Sequence, residues 1–330
     1  MSKSIYIYNS GELHRKDNTL YFETQEGKKY LPIEQLYDIY IFGEVNASKK
    51  FLDFCATHHI AIHYFNYYGY YSGSFYPREY LNSGFAILKQ AEFYLDMEKR
   101  LPIAKKFIQG AYQNIRQVLK YYSNRSKEIL FELSTIESMS ENIKDAHTIE
   151  SLMGTEGGIR EIYYQTFDKI LENDEFIFEK RSRRPPQNRL NALISFGNSL
   201  LYTIVLSEIY KTQLDPRIGY LHSTNFRSFS LNLDIAEIFK PIIIDRTILK
   251  LISKNMLQKK HFIKELDGIL LNEEGRKLFT KEIDGRLEAT LRHKKLNRNV
   301  SYRRIIRMEI YKLQKHLIEN QEYKPFVSKW

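Results

Sequence analysis

"YYSGSFYPREYLNSGFAILKQAEFYLDMEKR", residues 70–100, is where the period of the apolar residues changes. Up to Pro77 the chain reads as strands, because short Ile, Tyr and Phe runs alternate with turn chemistry in "SIYIYNSGEL", "TLYFETQEGKKYLPI", "DIYIFG", "IAIHYF" and "YYSGSFYP". One helix interrupts them, "ASKKFLDFCATHH" at 47–59, with Ser48 as its cap and Phe51, Phe54 and Cys55 on one face. Beyond Pro77 the apolar residues recur at helical spacing from 85 to 122, with a kink expected at Pro102. The reading is an α+β chain with an N-terminal β domain over 1–80 and a mostly α-helical domain over 81–330.

Helices are expected downstream in "IREIYYQTFDKIL" (159–171), "NALISFGNSLLYTIVLSEIY" (191–210) and "RTILKLISKNML" (246–257), with a charged pair from about 273 to the end. The second is strongly apolar and should be central. A length of 330 residues favours two domains, and 43% apolar with 27% charged residues is the composition of a folded chain rather than a disordered one. No apolar run reads as a signal peptide or a bilayer span. The single cysteine, Cys55, excludes an intrachain disulfide, and the cytoplasm is the expected compartment.

Fifty Lys and Arg against forty Asp and Glu leave a formal charge of +10. In "RHKKLNRNVSYRR", 292–304, six basic residues stand without an acid, which suits a polyanion, although a solvated face explains one such run equally well. The aromatic cluster "HYFNYYGYYSGSFY" could stack on unpaired bases, but tyrosine also favours strands. "HHIAIH" puts His59 and His63 on one strand, read as exposed. There is no phosphate-binding Gly-rich loop, HExxH helix, CxxC pair or nucleophile elbow.

The chemistry-bearing groups lie in two segments. In "GYLHSTNFRSFSLNLDIAEIFKP", 219–241, Leu231, Ile235, Ile238, Phe239 and Ile242 form an apolar helical stripe, and Asp234 and Glu237 stand beside it, with Pro241 ending or kinking the helix. In "IESLMGTEGGIREIYYQTF", 149–167, the stripe of Leu152, Ile159, Tyr163 and Phe167 runs through Glu156, a carboxylate that must find a cation, hydrogen bonds or a metal. Pairing with Arg160 four residues on is the structural alternative. Glu156, His222 and a later acid are ligand types for Mg²⁺ or Mn²⁺.

Three stretches, "LMGTEGGIREIYY", "RRPPQNRLNALISFGNSLLYTIVLSEI" and "GYLHSTNFRSFSLNLDIAEIFKP", in that order, resemble the CRISPR-associated integrase and endonuclease of spacer acquisition, the Cas one family. The resemblance covers the whole chain. It implies an N-terminal β domain, a helical domain and a catalytic metal site at Glu156, His222 and Glu237. Many members carry aspartate at the last position, so Asp234 remains an alternative ligand. Lys240 matches a basic position facing the same site. The resemblance further implies a homodimer that assembles with a small companion, Cas two, and joins the 3′-hydroxyl ends of captured DNA to the CRISPR repeat by transesterification, in antiviral defense. Arg181, Arg183, Arg184, Arg292, Lys294, Lys295, Arg303 and Arg304 are candidate DNA backbone contacts. A non-catalytic DNA-binding scaffold with structural acids is the rival reading, and a hydrolase of other phosphate esters a third.

Overall fold

The computed structural model describes residues 3–78, 81, 83–125, 127–222, 229–265, 267–293 and 296–329. The chain divides into two compact units, Met1–Asn82 and Ser83–Trp330.

The first unit holds β1 (Lys3–Ile7), β2 (Gly11–Lys16), β3 (Thr19–Thr24), β4 (Gly27–Leu31), β5 (Leu36–Ile41), β6 (Val45–Ala47), α1 (Lys49–Thr57), β7 (Ala61–Phe65) and β8 (Tyr71–Phe75). They form two four-stranded sheets, in the orders β1-β5-β7-β8 and β4-β3-β2-β6. β1, β5 and β7 run parallel, with Ile39 opposite both Ile5 and Ile62. The unbroken apolar character of "DIYIF" follows from that central position, since a strand covered on both faces needs apolar groups on both. Ser48 caps α1 as expected, its side chain accepting from the Phe51 N–H. Phe51, Phe54 and Cys55 then close one core with Leu13, Leu20 and Leu31 of one sheet and Ile39, Ile41 and Ile62 of the other.

His63 departs from expectation: it is fully buried, with Nδ1 2.7 Å from Ser74 Oγ and its ring packed against Tyr40 and Tyr76. Alternation predicts an exposed face only when one side of the sheet meets water, and here aromatic rings cover His63.

The second unit holds α2 (Gly84–Leu95), α3 (Met97–Ser123), α4 (Leu130–Met139), α5 (Glu141–Asp145), α6 (Ile149–Leu171), α7 (Arg189–Tyr210), α8 (Leu231–Lys240), a π-helical turn (Pro241–Asp245), α9 (Arg246–Ser253), β9 (Phe262–Glu265), β10 (Gly268–Leu271), α10 (Glu273–Glu288), β11 (Thr290–His293), β12 (Arg298–Ser301) and α11 (Tyr302–Glu319). The long helical stretch divides at Asp96 rather than at Pro102, which lies inside α3. Asp96 accepts from the Glu98 N–H at 2.9 Å and so starts a new helix, the cap outweighing continuity. Two antiparallel hairpins, β9–β10 and β11–β12, interrupt what the sequence presents as all helix.

α7 is the central element, with eighteen of its twenty-two residues buried. It is long and apolar enough to cross a membrane, contrary to the expectation of no such run, but 78% of that stretch is buried inside the protein. α8 packs against α3 and α7 and is covered on every side, charged residues included. Behind it runs the segment after α11, which is extended rather than helical. Tyr323 donates to buried Glu309 at 2.6 Å, the Ser328 N–H donates to Asn114 Oδ1 at 2.8 Å, and Phe326 stacks on Phe239 of α8.

Candidate active site

A helix that buries Asp234, Glu237 and Lys240 must satisfy each of them internally, because an isolated charge out of water costs several kcal/mol. Asp234 does so through backbone. Its Oδ2 accepts the N–H groups of Tyr220 (2.5 Å) and Leu221 (3.0 Å), and its Oδ1 accepts the His222 N–H (3.0 Å) and His222 Nδ1–H (2.8 Å). Gly219 is required here, since a Cβ would stand 2.8 Å from Asp234 Oδ2 and 2.7 Å from the Ser230 carbonyl carbon. With Nδ1 engaged, His222 keeps Nε2 as its remaining nitrogen. Burial opposes the charged imidazole, but the hydrogen bond and charge of Asp234, with Glu237 behind them, outweigh it and raise the His222 pKa. Both Asp234 oxygens thus hold the loop before α8 and the His222 ring in place.

Glu237 is 3% exposed and lies between two cations. Arg160 Nη2 donates to its Oε2 at 2.7 Å and Lys240 Nζ to its Oε1. Burial alone would raise this carboxyl, yet Lys240, Arg160 and His222 together hold it at about 2. Arg160 also donates through Nε to Glu156 Oε1 at 3.1 Å, so the i,i+4 pair expected within α6 exists and is one arm of a larger arrangement. Burial, and then the charge of Glu237, push the Glu156 pKa up, with Arg160 and Lys240 offsetting part of the rise.

A third carboxylate joins them. Asp245 is fully buried at the end of the π turn, its Oδ2 3.7 Å from Arg160 Nη1. Burial pushes its pKa up to about 7, despite Arg160 and Lys240. Its two oxygens, Arg160 Nη1 and the Tyr163 hydroxyl are all buried and face one another, with Arg160 and Tyr163 both acting on the carboxyl. The sequence reading missed Asp245, and the helical period explains why. Eight residues separate it from Glu237, which at about 100° each would turn it about 80° away in an α-helix. The extra residue taken up by the π turn brings the two to within about 20°. The available signal was a lone acid after the apolar run "PIII".

The structure therefore brings Glu156 and Glu237 together through Arg160, and Glu237 is within electrostatic reach of His222. Among the described residues no three His, Cys, Asp or Glu side chains are gathered closely enough to hold a metal ion. Glu156, Glu237 and Asp245 supply oxygen donors of the type a divalent cation takes, and in this structure Arg160 and Lys240 act on all three.

The basic candidates divide. Arg183, Arg184, Arg292 and Arg304 are exposed. Arg181 instead bonds Asn191 Oδ1 at 2.9 Å and Ser195 Oγ at 3.1 Å on α7, and Arg303 is buried and bonds Asp284 at 3.1 Å, so both serve internal packing here. Lys294 and Lys295 lie outside the described residues, as does most of the loop between His222 and α8. Lys240 is buried at Glu237, with Nζ 5.0 Å from the centre of the Tyr202 ring.

The family model described as CRISPR associated protein Cas1 matches residues 5–285. The chain is 60% identical over 330 residues, the whole of both chains, to a CRISPR-associated endonuclease Cas1 of Thermodesulfovibrio yellowstonii. A solved CAS1 protein from Thermotoga maritima superposes with a TM-score of 0.89 at 48% identity, over 98% of this chain and 99% of that one. A casposase bound to integration product shares the fold, with a TM-score of 0.88 at 23% identity over 99% of this chain and 93% of that one. With a family match over most of its length and a full-length relative at this identity, the chain belongs to the CRISPR-associated Cas1 family.

Proposed function

We propose that this chain is a metal-dependent DNA integrase and endonuclease of CRISPR adaptation, and that Glu156, His222 and Glu237 hold its Mg²⁺ or Mn²⁺. The observation that carries the reading is the pair of carboxylates, Glu237 buried and Glu156 part-buried, drawn together by Arg160 next to an imidazole whose Nδ1 is fixed by Asp234. A bound divalent ion would supply Lewis-acid polarisation of a phosphodiester and stabilise the departing oxygen. In strand joining, the 3′-hydroxyl oxygen of captured DNA bonds to phosphorus, the bond from phosphorus to the departing 3′-oxygen breaks, the attacking hydroxyl's proton passes to solvent and the departing oxygen takes one up to become a new 3′-hydroxyl. Water in place of the hydroxyl gives nuclease activity.

The chain's own groups prepare this chemistry. Asp234 keeps the proton on His222 Nδ1 and so presents Nε2 as a lone pair, the usual way an outer carboxylate orients a ligating histidine. The Glu237 pKa of about 2 keeps that carboxylate ionised at every working pH. Lys240 balances Glu237 until a phosphate arrives. Exposed Arg183, Arg184, Arg292 and Arg304 are suited to the DNA backbone. A homodimer working with Cas2 is the assembly that the family implies.

Strand joining with Mn²⁺ and Cas2 tests the reading. Glu156→Ala should lose joining while retaining DNA binding. Joining at the parent rate would instead support the non-catalytic scaffold.

A further inference from the structure

Arg160 reaches three carboxylates, the part-buried Glu156 and the buried Glu237 and Asp245, and it uses a different nitrogen for each. Nε takes Glu156 Oε1 at 3.1 Å, Nη2 takes Glu237 Oε2 at 2.7 Å, and Nη1 faces Asp245 Oδ2 at 3.7 Å. Nη2 makes a further bond, at 3.1 Å, to the Glu237 main-chain carbonyl. That carbonyl is available for a local reason: four residues on, where an α-helix would supply an N–H, stands Pro241, which has none. The next carbonyl, of Ile238, is likewise taken by a side chain, Asn114 Nδ2 at 2.9 Å. The guanidinium thus fixes both the side chain and the backbone of Glu237, and ties them to α6.

We propose that Arg160, backed by Asp245, is a positioning residue that sets the Glu156 and Glu237 carboxylates in place for the divalent ion; this rests on the metal-dependent reading above. A planar fork with donors in fixed directions can hold two carboxylates at a set separation, whereas a lysine ammonium is a point charge on a flexible stem. Asp245 closes the far side of the guanidinium, its Oδ2 facing Nη1, and so keeps the fork turned toward the two carboxylates. The buried oxygens of Asp245 and the Tyr163 hydroxyl form the polar end against which Arg160 Nη1 rests.

The test is Mn²⁺ uptake by the full chain without DNA, followed by the paramagnetic signal of free Mn²⁺, with Glu156→Ala defining non-specific uptake and thermal melting run alongside. Arg160→Lys keeps the charge and loses the fork. It should bind Mn²⁺ about 10- to 100-fold more weakly than the parent, the usual cost of disturbing a group that supports metal ligands. Asp245→Asn should bind more weakly by a smaller factor with no loss of melting temperature, and it decides the matter if Arg160→Lys does not fold. A lowered melting temperature with parent affinity in Arg160→Lys, or parent affinity in Asp245→Asn, would overturn the positioning role. Absence of specific uptake by the parent would overturn the metal-dependent reading itself.

Discussion

The second unit handles charge in two opposite ways. Around α8, five ionisable side chains, four of them buried and Glu156 part-buried, are joined by ion pairs: Glu156, Arg160, Glu237, Lys240 and Asp245. On the β11–β12 hairpin and the segment before α7, Arg292, Arg183 and Arg184 are exposed to solvent. The first arrangement specifies geometry, because low dielectric makes every unpaired group costly. The second supplies potential, where the sum of charges counts more than the position of each. One chain thus carries a site that should fail when a single atom moves and a surface that should degrade gradually.

The largest effect expected from this contrast is on stability. Glu237→Ala would leave Arg160 and Lys240 buried without their carboxylate and should cost about 3–5 kcal/mol in urea unfolding. Arg292→Ala should leave the midpoint where it was. Equal losses for the two would erase the distinction.

Next comes pH. Asp245 titrates at about 7 in the folded chain and near 3.9 when unfolded. Between those values the unfolded chain releases the proton that the folded one keeps, so this group's contribution falls as pH rises from about 4 to about 7 and is level above. Asp245→Asn should remove that fall. Its stability relative to the parent should climb by a few kcal/mol over the window, at about 1.4 kcal/mol per pKa unit. A flat difference across pH would mean that the carboxylate is hydrated.

For the exposed arginines, removing Arg183, Arg184 and Arg292 in turn should weaken binding to unrelated duplexes by similar factors. Every phosphate left without its arginine should lower the log–log salt slope by about 0.9. An unchanged slope would assign them to ordinary surface.

The smallest effect tests the border between the two regimes. Gly157 follows Glu156 on α6, yet a Cβ there would meet nothing within 4 Å. Gly157→Ala should therefore raise stability by about 1 kcal/mol, the gain for replacing glycine within a helix. A loss would show that the space beside the buried acids is closed.

How much of this was legible depended on whether period alone settled an element. The switch from alternation to helical spacing near Pro77 separated strands from helices, and Ser48 announced α1 in advance. Short hairpins escaped, because four-residue strands such as "FIKE" and "TLRH" carry too few apolar positions to show a period. His63 was misread because nothing along a strand reveals what covers it. Glu156 could be singled out as a carboxylate in an apolar stripe, and its local pairing with Arg160 was one of two outcomes the spacing allowed. That Arg160 reaches across to Glu237 was not visible, since no spacing rule links residues 77 apart. Asp245 was hidden by the π turn, which shifts the helical phase that sequence reading assumes.

Pro241 carries a consequence of its own. A ring that cannot offer a hydrogen leaves one oxygen of α8 waiting, and a guanidinium from another helix answers. Swapping that ring for alanine would change no charge and remove only a few carbons, yet it would hand the oxygen a rival suitor from its own strand of backbone. The knot of charges around α8 would then be disturbed by adding the smallest atom there is.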